Sequence, residues 1–110
     1  MATSSRMSVA VEDIGTTVLY TNHTFVFTIT GYFDKPTNAA TLPLIEIYDH
    51  DSASGLPSEP VYQFIPTHEK DKESGATFTI NLGGILFTKG IVVVVGAFAD
   101  STGALYVVHD

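Results

Sequence analysis

Apolar residues along this chain recur at every second position in short runs separated by clusters of Gly, Pro, Asn, Asp and Ser, and no stretch holds a helical period. The strongest run is Ile91-Val92-Val93-Val94-Val95, β-branched throughout and bounded by Gly90 and Gly96. Branched side chains suit a pleated strand and crowd the preceding turn of a helix, so this run predicts a central strand. The turn-forming Asp100-Ser101-Thr102-Gly103 and a second branched run at 104–108 follow it, a pattern that predicts an antiparallel hairpin. Upstream, 8–12 predicts a short first strand, and 16–20 a second with Val18 and Tyr20 on one face. In 24–33, Phe25, Phe27 and Ile29 alternate with Val26, Thr28 and Thr30, which predicts one face toward a core and one toward water or a partner. A loop at 34–38 leads to a strand at 42–49, with Ile45 and Ile47 opposite Leu44, Glu46 and Tyr48. Breakers fill 50–60, a short strand is expected at 61–65, and 66–75 carries charges of alternating sign that suit a solvated loop. Phe78, Ile80 and Leu82 alternate with Thr77, Thr79 and Asn81, and the Gly83-Gly84 pair separates this strand from a brief one at 85–88.

Eight or nine short strands without helix predict an all-β domain, an antiparallel β-sandwich of jelly-roll or immunoglobulin-like topology, with a small closed barrel as the alternative. The polar, small residues 1–8 are expected to form a flexible N-terminal arm, and 9–110 a single domain.

Charge narrows the function. Five Lys and Arg against twelve Asp and Glu give a net charge of −7, which opposes binding to a phosphate backbone, since counterion release needs clustered basic side chains. No nucleic-acid partner is expected. No apolar run approaches the roughly 20 residues of a membrane helix, and 1–8 lacks the apolar core of a signal peptide, so synthesis in the cytoplasm and no membrane partner are expected. Cysteine is absent, which leaves packing to supply stability. Charged residues make up 15% of the chain and hydrophobic ones 45%, a low charge density for a small domain, so part of the apolar surface is expected to meet another chain.

Candidate chemistry is sparse. Asp49-His50-Asp51 is the most site-like cluster; Asp49 and Asp51 are weak calcium candidates, because the spacing lacks the glycine and terminal glutamate of a calcium loop. The expectation is no metal and no cofactor. His23, His50, His68 and His109 occur singly at turns or strand ends, where solvated surface histidine is the expected role. No serine sits in a nucleophile elbow and no glycine stretch follows a phosphate-binding pattern, so there is no catalytic residue to name and no enzyme is expected. Asn22-His23-Thr24 matches a glycosylation acceptor, a pattern without meaning outside a secretory context. The five tyrosines suit sugar stacking if several line one face, and half-buried packing otherwise. If Ile91, Val93 and Val95 face a core, Val92 and Val94 point away from it and need a cover.

From Val18 onward the order of features resembles small β-sandwich structural proteins of tailed bacteriophages. The residues that carry the likeness are Val18-Leu19-Tyr20, Ile45-Glu46-Ile47-Tyr48-Asp49, Pro60-Val61, Ile65-Pro66, the block Gly84-Ile85-Leu86-Phe87-Thr88-Lys89-Gly90-Ile91, and 104–108. The chain departs from the pattern by ending in His109-Asp110, where an aromatic residue is common. The resemblance implies a virion structural protein, above all a capsid decoration or cement protein, with a tail or neck component or a carbohydrate-binding jelly-roll module as alternatives. It implies the major capsid protein or other virion proteins as partners, a homo-oligomer, and a place on the capsid surface. The expected contact residues are Arg6, Tyr48, Val92, Val94 and Tyr106. The resemblance transfers no catalytic residues.

Overall fold

The computed structural model describes residues 7–11, 15–33, 44–65, 76–96 and 103–110. They form eight strands: β1 Met7–Val11, β2 Gly15–Tyr20, β3 Thr24–Phe33, β4 Ile45–Asp49, β5 Tyr62–Phe64, β6 Ala76–Phe87, β7 Ile91–Val95 and β8 Gly103–His109. There is no helix among the described residues. Two antiparallel four-stranded sheets result, in the orders β1-β8-β3-β6 and β2-β7-β4-β5. The expected all-β antiparallel architecture is present.

The pairing has a simple logic. β4 pairs with β5, β3 with β6, β2 with β7 and β1 with β8, so the first half of the chain runs antiparallel against the second half as one long ribbon. The ribbon is rolled so that β3 also pairs with β8, and β4 with β7. The hairpin expected from the two branched runs at the end of the chain is therefore not formed. β7 and β8 belong to different sheets, because a turn signal marks where a chain reverses and not which edge the next strand joins.

One core lies between the sheets. β7 contributes Ile91, Val93 and Val95 and β4 contributes Ile45 and Ile47; Val26, Ile29, Phe87, Leu105 and Val107 meet them from the other sheet. Phe64 of β5 lies 5.1 Å, centroid to centroid, from Phe78 of β6 and joins the layers at one end. Tyr20 of β2 and His109 of β8 do the same at 4.7 Å.

Three irregularities reset the alternation and correct the expected faces. In β2 the register slips between Val18 and Tyr20, so Leu19 is an extra residue and both Leu19 and Tyr20 turn toward the core, while Val18 is exposed. In β3 Phe27 is extra relative to β8, so Val26 and Ile29, three apart, are both buried and Phe25 faces outward. The third lies in β6, which runs unbroken through the Gly83-Gly84 pair instead of ending there. Val26 pairs with Ile85 but Thr28 with Asn81, so three residues of β6 stand opposite Phe27. Gly83 and Gly84 adopt φ of 70° and 87°, a region costly for any residue with a Cβ, and the Phe27 ring packs against Gly84. The phase shift carries Phe87 into the core after Phe78, Ile80 and Leu82.

Other expected strands shift by a few residues at their ends. The strand expected from Ser8 begins one residue earlier, as Met7, in the expected arm, pairs with His109 in β1. Residues 1–6, 12–14, 34–43, 66–75 and 97–102 lie outside the described residues, and with them most of the expected arm, the expected loops at 34–38 and 66–75, the first residues of the strand expected at 42–49, and most of the turn expected at 100–103.

Gly31 sits hard against a neighbouring strand. A Cβ there would fall inside van der Waals distance of the Ala104 carbonyl oxygen in the neighbouring strand. Gly31→Ala should lower stability by about 2 kcal/mol through overpacking of β3 on β8; a urea unfolding midpoint equal to wild type would contradict this packing.

Candidate functional site

Four features of the described residues can carry chemistry or recognition, and the first is the most site-like cluster of the sequence. Asp49 closes β4 beside the turn between β6 and β7. Its Oδ2 accepts from Thr88 N at 2.9 Å and Thr88 Oγ1 at 3.0 Å, and its Oδ1 from Lys89 N at 2.8 Å and Gly90 N at 3.4 Å. Partial burial pushes the carboxyl pKa up, but these donations from Thr88, Lys89 and Gly90 outweigh it and hold the pKa below the usual carboxylate range. Both oxygens are thus engaged in bracing a turn. Asp51 is exposed, and the described residues contain no group of three or more His, Cys, Asp or Glu able to hold a metal ion. Asp49 is best described as a brace.

The second feature corrects the expectation of surface histidines. His109 is fully buried, beside Thr24, which is buried as well. With the proton on Nδ1, His109 donates to Asp110 O at 2.9 Å and also lies 3.3 Å from Thr24 Oγ1. Thr24 Oγ1 then donates to Asp110 Oδ1 at 2.6 Å, and Phe25 N donates to the same oxygen at 2.8 Å. The Thr24 hydroxyl, followed by the Phe25 amide, holds the Asp110 pKa below its ordinary value. Thr, His and Asp come together here, but not in a nucleophilic order. The acid bonds the hydroxyl directly, the His Nε2 is buried without a partner, and the hydroxyl is out of reach of substrate. The group fastens the end of β8 to the start of β3. His50 is half-buried, its Nε2 3.0 Å from Ser54 O; His23 is exposed and His68 lies outside the described residues.

The third feature is an open groove of 510 Å³ on the second sheet, lined by Glu46, Ser58, Glu59, Pro60, Val61, Tyr62 and Gln63. Tyr48 lies beside Glu46 on the outward face of β4 and is buried. Burial, then the charge of Glu46 and the hydrogen bond to it, raise the Tyr48 pKa. Val92, paired with both Tyr48 and Val18, is fully covered by the chain itself, and Val94 is half-buried. Of the expected contact residues, Val92 and Tyr48 are therefore not surface groups, because the chain itself covers the outer face at these two positions. Arg6 lies outside the described residues, and Tyr106 is exposed.

The fourth feature was not foreseen. No Asp, Glu, Lys or Arg occurs in β1, β3, β6 or β8, although the chain carries 17 such residues. The outward face of this sheet exposes Phe25 (44%), Tyr32 (44%), Leu86 (47%) and Tyr106 (39%). Phe25 and Leu86 are cross-strand partners, and Tyr106 pairs with Thr30, next to Tyr32 on the same face of β3. Thr30 Oγ1 and Thr79 Oγ1 lie 3.1 Å apart between them, and the row ends in exposed Asn81. The result is a neutral face of aromatic, aliphatic and hydroxyl groups. Its signal was present in the sequence as the lack of charge in three strand runs.

No protein-family model, curated protein or solved structure matches the chain.

Two outcomes check this assignment of roles. Asp49→Ala should cost about 1–2 kcal/mol at neutral pH, because three backbone N–H groups lose a charged acceptor; an unchanged thermal midpoint would remove Asp49 as a brace. The lowered pKa values of Asp49 and Asp110 mean that the unfolded chain binds more protons in acid, so stability should fall as pH drops from about 4 through the folded values. Urea midpoints measured from pH 7 to pH 3 should show this loss, and Asp49→Asn should flatten it.

Proposed function

We propose that this chain is a non-enzymatic virion structural protein, a decoration or cement subunit that docks on a bacteriophage capsid lattice. The observation that carries the reading is the neutral outer face of the β1-β8-β3-β6 sheet, with Phe25, Tyr32, Leu86 and Tyr106 exposed in strands that bear no charge. A monomer of net charge −7 concentrates its solubilising charge elsewhere and keeps one sheet face suited to dry contact. The major capsid protein is the partner in this reading, engaged by many identical weak contacts across a repeating lattice. The acidic balance keeps free subunits off packaged nucleic acid.

The topology proposed with it is the eight-stranded jelly roll, a fold that serves viral capsid and lectin domains. The strand orders β1-β8-β3-β6 and β2-β7-β4-β5, and the rolled ribbon that joins them, support that choice over an immunoglobulin-like arrangement. A fold of this kind hosts many activities, so the function rests on the face.

A second reading has its own observation. Tyr32 and Tyr106 stand on adjacent strands of one face, with the Thr30 and Thr79 hydroxyls and Asn81 alongside, a combination suited to stacking and hydrogen-bonding a sugar. A glycan array that stays blank, together with unaltered particle binding by Tyr32→Ala, would dismiss it.

The main reading is tested on particles. The protein should co-purify with capsids at a copy number set by lattice symmetry; a handful of copies per particle would move it to the tail or neck, and recovery only from host lysate would end the virion reading. Leu86→Glu and Tyr106→Glu should weaken capture by particles at least tenfold while shifting stability by no more than about 0.5–1 kcal/mol, since both sites are exposed. Val92→Asp should instead cost about 4 kcal/mol, as an unpaired charge in a closed interior, and its loss of binding would follow from unfolding.

A further inference from the structure

β6 is an edge strand of its sheet and, at 12 residues, the longest strand among the described residues. Outward N–H and C=O groups on such a strand template another strand, and proteins ordinarily guard them with charge, proline, shortness or a bulge. β6 contains no charged residue and no proline. Its single guard is the Gly83-Gly84 irregularity, which leaves residues 76–82 as a straight arm. Among the described residues no strand other than β3 is hydrogen-bonded to β6. Within the arm, Ile80 and Leu82 face the core yet are only half-buried, and Thr79 and Asn81 are exposed on the outer face.

We infer that this edge pairs antiparallel with the same edge of a second copy of the chain, about a two-fold axis near Thr79, joining two four-stranded sheets into one of eight. The occupant must offer apolar residues on the inner face and neutral polar ones on the outer face. A two-fold operation preserves that parity, so Ile80 and Leu82 meet the inner row of the other copy while Thr79 and Asn81 stay on the outer row. Charge permits the approach and length selects it: copies of net charge −7 repel, so they meet best at an uncharged edge, and of the uncharged edge strands β6 has 12 residues against 5, 6 and 3 in β1, β2 and β5. The size fits a reversible contact. Seven residues at roughly 3.3 Å each, against a molecule 18 Å thick, bury about 400 Å² per copy. That total of about 800 Å² belongs to weak, concentration-dependent association, with no permanent dimer. The edge borders the docking face and shares Thr79 and Asn81 with it, but the pairing is made through the outward backbone groups of β6 and does not depend on capsid binding.

The test uses the purified chain without particles. Sedimentation equilibrium from roughly 10 μM to 1 mM should show a monomer–dimer equilibrium that strengthens with added salt, as screening weakens the repulsion. Amide exchange in wild type should slow in residues 76–82 as concentration rises. Thr79→Lys and Asn81→Lys, both at exposed positions, should each raise the dissociation constant at least tenfold. A monomer throughout the range, dimers indifferent to both lysines, or exchange protection outside β6 alone would overturn the inference. None of these results bears on particle binding, and a chain that dimerises but ignores capsids would overturn only the docking proposal.

Discussion

The constraint on which this molecule depends is that each strand of its first half pairs with a strand far away in its second half. Met7 lies beside His109 and Gly15 beside Val95, and only the β4 to β5 connection closes a ladder between sequential neighbours. Each such ladder requires a long loop to be closed before its hydrogen bonds form, so the gain must come from burial where the layers meet. The branched strand β7 supplies much of it, with Ile91, Val93 and Val95 in the core and Val92 buried on the opposite side. A strand covered on both faces tolerates the unbroken apolar run that a half-exposed strand would not.

This architecture explains where polar groups have been placed. Some of them brace junctions of the ribbon: Asp49 holds the β6 to β7 turn, and Thr24, His109 and Asp110 tie β8 to β3. In both cases a carboxylate accepts backbone N–H groups that a turn or strand end would otherwise leave unmatched. The two sheets then differ on their outsides. The β2-β7-β4-β5 sheet has Val92 and Tyr48 covered and carries Glu46 and Asp49, whereas the other has no charge in its strands and shows aromatic rings to solvent. One molecule thus offers one side with charge on its strands and one neutral side.

Much of the fold could be read in the residues, and the failures have physical causes. Each strand is signalled in the sequence, β6 as two pieces divided at Gly83-Gly84, because alternation and branched runs are local signals and breakers mark their ends. Which strands pair was not, since pairing depends on contacts between residues far apart; hence the expected terminal hairpin is replaced by two strands in different sheets. Facing was correct where strands are regular, as in Ile45 and Ile47, and wrong after Phe27 and Leu19, where one extra residue inverts every later position. The outward row of Val92 and Tyr48 was identified, but alternation says nothing about what lies over a face. His109 was taken for a surface group because it stands at a strand end; its fit against Tyr20 comes from the opposite layer and leaves no trace in nearby sequence.

One feature of the first sheet reaches back to how the chain is made. β8 lies between β1 and β3, and Gly31 accepts the Ala104 backbone so closely that a Cβ there would collide with it. A nascent chain emerging from the ribosome can therefore pair β3 with β6 early, but β1 has no partner in this sheet until residues 103–109 have cleared the exit tunnel. The layer stays incomplete until then. During that delay the uncharged strands are the segments most in need of a chaperone's shelter.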